Sequence, residues 1–384
     1  FPLYQENLNV IANGQPTSQM RFRLEAFMNP EYFKDPFVTP TFLDNHDVAR
    51  WLTSGNRDSL KQGLMFLMTI PGIPVIYMGT AQEFTETRQA MFADGFAAQG
   101  MDWYDTSTEM YQLIAELTDI RKTTRVLTRG DLTVLSENAQ SVGGLTYFRN
   151  LADDGTQAMV FMNTADEPIL ISGVDTGLEP GTRLTLVKSL VAGDNQRIDA
   201  EGQIAIELDS RDMLLYSVAG VGNVPDPGVD IEMDNPPNGA TFDEPFTLTG
   251  TVTGNPSELV LVIDELVERA TPVEITPGSG GGPDTWTVDV PLEQLAVNDR
   301  LRKLVVYDPD SGATSITDTF VSSFITPSAT VSVKDPEGDD AGPDGVYTYP
   351  TDPSFFGEEG DLLNIEASAA GRNMTLTLTM KKVQ

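Results

Sequence analysis

The apolar residues of this chain change their spacing once, near Asp131, and that change limits the possible folds more than any other feature. Before it, apolar side chains recur every three or four residues, as on one face of a helix. Leu60, Leu64, Leu67 and Met68 predict a helix over Arg57–Thr69, and a second amphipathic stretch runs from Glu109 to Leu127. Residues 1–36 read as mostly helical, with Leu3, Leu8, Val10 and Ile11 on one face and a further piece over Arg21–Met28. Two short runs interrupt this pattern, Val38–Leu43 and Ile73–Met78. The second is continuously apolar, as parallel strands are when both faces are covered. Strand, helix and strand in that order form one β-α-β unit.

After Asp131 the apolar residues alternate in short segments, which is the period of half-buried strands. Leu132–Ser136, Gly144–Arg149, Ala158–Asn163, Pro168–Ile171, Arg183–Ser189, Gln203–Leu208 and Asp212–Val218 are strand candidates, punctuated by turns such as Asp153-Asp154-Gly155. Residues 131–219 are therefore expected to be a β-sandwich. Residues 220–230 (GVGNVPDPGVD) form a Gly/Pro-rich linker. A second strand series over 231–326, with Trp286 in its core, suits an immunoglobulin-like sandwich. Residues 327–384 begin a third β-module.

The chain has 384 residues and a net charge of −33. That length predicts two to four domains with ample core. The acidic excess grows along the chain. Residues 1–130 carry 15 acidic and 11 basic side chains, whereas residues 220–384 carry 28 and 8. Such a surface repels phosphates, so nucleic acid is not an expected partner. It suits a secreted or salt-adapted protein. There are no cysteines, which excludes disulfides, a thiolate nucleophile and a cysteine-type zinc site. No apolar run approaches the length of a membrane span.

Chemistry concentrates at the end of the first strand candidate. Residues 39–50 read TPTFLDNHDVAR, and the only histidine of the chain, His46, lies here between Asn45 and Asp47. The order is apolar strand, polar cluster, helix. Polar groups gathered at the carboxyl end of a barrel strand usually do chemistry rather than hold the scaffold.

FLDNHD resembles the fourth sequence region of the α-amylase family of glycoside hydrolases (family 13), usually written F-x-D-N-H-D. Pro71–Gly79 (PGIPVIYMG) resembles that family's eighth barrel strand, and Arg88 and Met91 in TRQAMF resemble an R-x-x-M element that follows it. The resemblance implies a multidomain α/β plus all-β protein. Residues 1–130 would hold the last strands and helices of a (β/α)8 barrel, followed by β-sandwich domains. Two strands cannot close a barrel, so the resemblance places the remaining strands before Phe1. It also places the nucleophile and the acid/base there, since neither of their regions occurs in this chain. The chain alone is therefore expected to be inactive.

Within the resemblance, Asp47 matches the third carboxylate of the family, which grips sugar hydroxyls as the ring distorts toward an oxocarbenium ion. His46 matches a substrate-binding histidine. Asn45, Arg50 and Arg88 complete the expected substrate-binding set, with Asn45 and Asp44 orienting the loop. Arg50 is expected to pair with a carboxylate. For Arg88, a subsite wall and a plain salt bridge are equally open. One departure stands out: the family usually has an acidic residue two positions past the glycine of Tyr77-Met78-Gly79. Here Thr80-Ala81 intervene before Gln82-Glu83, so Glu83 either takes that place through a shifted loop or the contact is lost.

The segment KDPEGDDAGPDGVYTYPTD resembles the start of the C-terminal module of glucodextranases and some amylopullulanases. Asp335, Asp339 and Asp340, spaced by glycine, suit a Ca²⁺ ion, which takes about 6–8 oxygen ligands; a solvated acidic turn is the other reading. Trp51, Trp103, Tyr104 and Tyr111 are of the type that stacks on sugars, and equally of the type that fills cores. The function implied is retaining hydrolysis or glycosyl transfer on α-glucans by a secreted enzyme, extracellular or periplasmic, with its N-terminal part as a partner. The alternative is a non-catalytic carbohydrate-binding or surface-attachment protein in which the β-modules do the work.

Overall fold

The computed structural model describes residues 2–242, 245–290, 301–321, 330–335, 362–370 and 373–381. Most of the regular structure is β-sheet. The helices are α1 (Pro2–Asn7), which runs into a single π-turn over Leu8–Ala12, α2 (Ser18–Met28), α3 (Arg57–Thr69), α4 (Glu109–Thr123) and α5 (Arg125–Arg129). Among them lie two short strands, β1 (Pro40–Phe42) and β2 (Ile73–Val75), paired in parallel with Pro40 opposite Ile73. Helix α3 connects them.

The termini of α3 are built from local chemistry at one end and distant chemistry at the other. At its start, Asn56 accepts from the Ser59 amide (2.8 Å) while the Ser59 hydroxyl accepts from the Asn56 amide (3.0 Å). This reciprocal box satisfies two orphan donors. At its end, two buried arginines take up the free carbonyls. Arg121 donates to Met68, Ile70 and Gly72, and Arg149 donates to Thr69, Gly130 and Asp131. Cations at a helix C-terminus also suit the helix dipole. Burial holds the Arg121 and Arg149 guanidiniums below their usual range, to about 10 and about 9, so both stay charged at neutral pH. Gly72 then turns the chain with φ 110°. A Cβ there would sit 2.8 Å from the Thr39 carbonyl, so only glycine lets β2 come alongside β1.

The strand expected over Ile73–Met78 is shorter than its apolar run, closing at Val75. Ile73 and Val75 are 50% and 44% exposed. Their side chains alternate toward a face that nothing covers among the described residues.

Short strands follow Asp131, in the order the alternation predicts. Strands β3 (Asp131–Glu137), β4 (Gly144–Leu151), β5 (Thr156–Asn163), β6 (Ile169–Ile171), β7 (Thr182–Ser189), β8 (Gln196–Arg197), β9 (Ile206–Leu208) and β10 (Met213–Val221) follow in order. Six of them form a sheet ordered β3-β4-β5-β10-β7-β8, and β6 pairs with β9 in a second layer. Phe161, Leu184 and Tyr216 meet Ile169, Ile206 and Leu208 between the layers. On the other face of the sheet, Leu145, Tyr147, Val160 and Leu215 pack with Val10, Leu24, Leu64 and Leu67 in one continuous core. The α3 residue Gln62 donates to the Asn163 carbonyl (2.6 Å), tying the helix to the sheet.

Residues 222–229 carry no regular structure. The second series starts at β11 (Asp230–Asn235) and continues with β12 (Ala240–Phe242), β13 (Thr247–Thr253), β14 (Val260–Ile263), β15 (Thr271–Pro272), β16 (Glu274–Thr276), β17 (Asp284–Asp289), β18 (Leu301–Tyr307) and β19 (Thr314–Val321). Strands β11-β13-β17-β16 form one sheet, and β14 pairs with both β15 and β18. Trp286 is buried against Gly250, where any Cβ would meet the indole at 2.4 Å. Residues 1–238, 247–290 and 302–318 make one compact unit, which takes in the preceding sandwich and most of this series; β12 and the end of β19 fall in the other.

Their junction is a turn with two left-handed residues, Asp264 (φ 49°) and Glu265 (φ 77°). Glu265 accepts from the Gly144 amide (2.7 Å) and from Asn138 (3.0 Å). Asp264 pairs with Arg302 at 2.7 Å. Burial holds both carboxyls above the usual range, opposed at Asp264 by Arg302 and Lys303 and at Glu265 by the Gly144 amide, Asn138 and Lys303; Asp318 reinforces it at Asp264, and Asp264 at Glu265. A carboxyl raised in this way stabilises the fold fully below its unfolded value, near 4.5 for Glu265. That contribution is lost as pH rises through the folded value. Glu265→Gln keeps an oxygen for both donors and removes the titration. Its melting temperature should gain on that of the wild type as pH climbs from acid to neutral, read by calorimetry at several pH values. A difference that shrinks instead contradicts this account.

The second compact unit comprises residues 239–246, 291–301 and 319–384. Its described strands include an antiparallel meander of β20 (Thr330–Lys334), β21 (Leu362–Ala370) and β22 (Asn373–Met380).

Candidate active site

The strands β1 and β2 end side by side, and the polar cluster follows β1 directly. Asn45 turns the chain there by accepting from the Asp47 amide (2.8 Å). His46 and Asp47 project outward, with side chains 67% and 58% exposed, and His46 Nε2 lies 3.2 Å from Asp47 Oδ2. From the loop after β2, Arg88 reaches the same spot. Its Nε donates to the His46 carbonyl (3.2 Å) and its Nη2 stands 3.9 Å from Asp47 Oδ1. One carboxylate, one imidazole and one guanidinium thus share an open surface, free to accept from and donate to the hydroxyls of a polar ligand. Exposed pairs of this kind contribute little to stability.

Arg50 lies beneath them and does something else. Its guanidinium has no exposed atom, and it pairs with Asp44 at 3.5 Å. It donates to the Met78 carbonyl (2.7 Å) and the Glu86 carbonyl (3.3 Å), and stacks over the Tyr77 ring at 4.1 Å. The sequence placed Arg50 among residues that touch a ligand. Its burial leaves it only the role of tying the loop after β2 to the loop after β1. The expected pairing with a carboxylate is present, and the partner is Asp44. Burial pushes the Asp44 carboxyl up, opposed by the Thr80 hydroxyl, which donates at 2.9 Å, and by Arg50.

Thr80, Tyr77 and Phe84 were not legible as site residues. A buried aspartate needs a donor, but spacing does not say which residue supplies it. Gly79 (φ 88°) is essential to the arrangement, because a Cβ there would meet the Phe84 ring at 2.1 Å. Glu83, the candidate for the acidic position after Gly79, pairs with Arg57 at 2.6 Å, in a network with Glu109 and Lys61. Trp51 is core, with its indole donating to Ser59 (3.0 Å).

A cleft of about 1070 Å³ lies elsewhere, lined by Arg197, Asp199, Glu201, Asp226, Asp230 and neighbours. It shares no residue with the cluster. Of the calcium candidates, Asp339 and Asp340 lie outside the described residues. Asp335 donates its amide to the Leu363 carbonyl (3.1 Å). Among the described residues no three His, Cys, Asp or Glu side chains converge to hold a metal ion, and no helix is long and apolar enough to cross a membrane.

Comparison with known proteins now bears on the cluster. Residues 330–384 match the family described as the C-terminal binding module, SLH-like, of glucodextranase. A β/α-amylase of Paenibacillus polymyxa is 28% identical over 228 residues, 56% of this chain and 18% of its own length. Cyclomaltodextrin glucanotransferases of Thermoanaerobacterium thermosulfurigenes and Niallia circulans are 25% and 30% identical, over 48% and 42% of this chain. The resemblance to the α-amylases holds. The chain spans a quarter or less of the length of these three relatives. A solved structure, the noncanonic maltogenic α-amylase AmyB of Thermotoga neapolitana, superposes with a TM-score of 0.39 at 20% identity, over 51% of this chain and 48% of its own. A superposition that loose adds nothing to the fold described above.

Proposed function

We propose that this chain carries part of the catalytic barrel of an α-amylase-type glycoside hydrolase acting on α-glucans, with β-modules after it. The observation that carries the reading is the convergence of Asp47, His46 and Arg88 where two parallel strands end, over the buried Asp44–Arg50 pair. The similarity to amylases and glucanotransferases supports the substrate class. In this reading β1 and β2 are two of the eight barrel strands, and the uncovered Ile73 and Val75 face the others. Residues 1–130 belong to the barrel, 131–219 and 231–326 to two sandwiches joined by 220–230, and 327–384 to the terminal module.

The reaction is retaining, with nucleophile and acid/base supplied from outside this chain. Asp47 accepts from hydroxyls of the sugar at the cleavage point, and those bonds tighten as positive charge develops on the ring. His46 donates to the same sugar, and Arg88 closes one side. Asn45 holds the turn that presents them. The SLH-like match supports an extracellular or cell-surface location. Calcium at Asp335, Asp339 and Asp340 belongs to the same proposal, and chelation should lower the melting temperature of the terminal module.

The test is to incubate a polypeptide that carries this chain together with the nucleophile and acid/base regions with starch, pullulan and dextran and identify the products. Cleavage of starch or pullulan with retention at the anomeric carbon is expected; release from dextran alone overturns the substrate class. The match to a binding module also favours a second reading, in which the β-modules attach the protein to carbohydrate or to a surface. Starch binding with no cleavage of any glucan would select it.

A further inference from the structure

The junction between the two strand series holds a cluster of charge that the site above does not use. Two adjacent non-glycine residues with φ of 49° and 77°, Asp264 and Glu265, form a strained turn, which persists where its surroundings over-determine it. The Leu170 amide donates to the Glu265 carbonyl (2.8 Å), and Ile169 bridges to Leu266. Lys303 donates to the Ser172 carbonyl (3.1 Å) and Arg302 to Gln140 (3.2 Å). Glu265 is buried, and Gly143 lies so close that a Cβ there would stand 2.4 Å from its carboxyl. The charges gathered here do not balance. Asp264 and Glu265 of the turn and Asp318 of β19 face Arg302 and Lys303 of β18, three carboxyls against two cations. Arg302 is committed to Asp264. The ions at the rim are already paired, Arg269 with Glu167 (3.0 Å) and Arg21 with Glu137 (2.6 Å). Among the described residues none of the ion pairs includes Glu265.

We propose that Glu265 is a latch between the two strand series, closed while its carboxyl is protonated and open once the proton is lost. Protonated, the carboxyl is neutral, suits the buried turn and still accepts from Gly144 and Asn138. Ionised, it is a third negative charge against two positive ones, held out of water. The turn then gains by moving into solvent, where the carboxylate is hydrated and the left-handed residues relax. The second series moves against the sandwich, and neither unfolds. The direction follows from the sign of the shift. Burial raises the Glu265 carboxyl from its ordinary 4.5, so docking is at full strength below 4.5 and is lost as pH rises through the docked value. Between those two values the open state holds one proton fewer, and each pH unit multiplies the open population about tenfold; above the docked value it levels off. The hairpin that receives Glu265 also carries the start of α2. There the Thr17 hydroxyl donates to the Gly144 carbonyl (2.6 Å) and the Ser18 amide to the Asn138 carbonyl (3.1 Å). The latch belongs to the junction and is independent of what the cluster at Asp47 binds.

Amide hydrogen exchange on the full chain, from about pH 4 to about pH 9, tests the latch. Wild type is compared at each pH with Glu265→Gln, so the intrinsic pH dependence of exchange cancels. Gly144 and Leu170, whose amides donate to Glu265, follow the junction. Val160 and Leu215, paired in the middle of β5 and β10, follow unfolding of the sandwich. The wild-type rate at Gly144 and Leu170, divided by that of the variant, is expected to climb about tenfold or more across the range and then level off. Both amides should exchange faster than those of Val160 and Leu215, a comparison made within the wild type that needs no variant. A ratio that stays flat overturns the latch. So does exchange at Gly144 and Leu170 no faster than at Val160 and Leu215, because the two series then part only when the whole unit unfolds, and Glu265 acts on stability alone.

Discussion

Asp47→Asn, made in an enzyme that also carries the proposed nucleophile and acid/base, is expected to lower turnover on α-glucan by about a hundred- to a thousandfold, the loss typical of one preorganised charge-stabilising group. Asparagine has nearly the shape of aspartate but no charge to set against a developing oxocarbenium ion, and its amide nitrogen meets sugar hydroxyls with donors where acceptors are wanted. The loss should fall on kcat more than on binding, since the contact strengthens in the transition state. The fold should hardly notice. The Asp47 side chain is more than half exposed, and the local turn rests on its amide and Asn45 rather than on its carboxylate. Steady-state kinetics with a melting curve checks both halves. Wild-type turnover from the variant would remove Asp47 from the mechanism.

Arg50→Ala should act in the opposite way, through the fold. The guanidinium is fully buried, and its removal leaves the Asp44 carboxylate without its countercharge and strips the Met78 and Glu86 carbonyls of their donor. Breaking a buried pair from one side costs about 3–5 kcal/mol. In a compact unit of this size that is a fall in melting temperature of roughly 10 °C. Arg50→Lys keeps the charge but cannot fork between two carbonyls while lying over Tyr77, so it should recover only part of the loss. A variant that melts like the wild type and raises KM alone would restore Arg50 to direct contact with the sugar. Together the two substitutions separate a residue that meets the ligand from one that positions the loops around it.

Much of the fold was legible because it depends on neighbours in sequence. The 3–4 spacing of Leu60, Leu64 and Leu67 and the Asn56-Ser59 box specify α3 within one turn of chain. Alternation picked out most strands between Asp131 and Val321; β8, β11, β12, β15 and β16 carry too few apolar residues to show a period, and β20, β21 and β22 were not placed. The Ile73–Met78 run was read too long, because a continuous apolar stretch does not state where strand pairing stops. The site was legible at Asp47 and His46 since both lie in one unbroken motif, and Arg88 came from a second.

The sequence by itself determined the order of helix and strand, the acidic surface and the cluster that follows β1. Only the tertiary structure decided that Arg50 lies inside against Asp44, that Thr80 and Tyr77 complete its surroundings, that Glu83 goes to Arg57, and that Asp264 and Glu265 join two β-layers to one unit. Period and motif are set by residues within a few positions of one another. A buried charge takes its partner from whatever the fold brings within about 4 Å, and that distance is unrelated to separation along the chain.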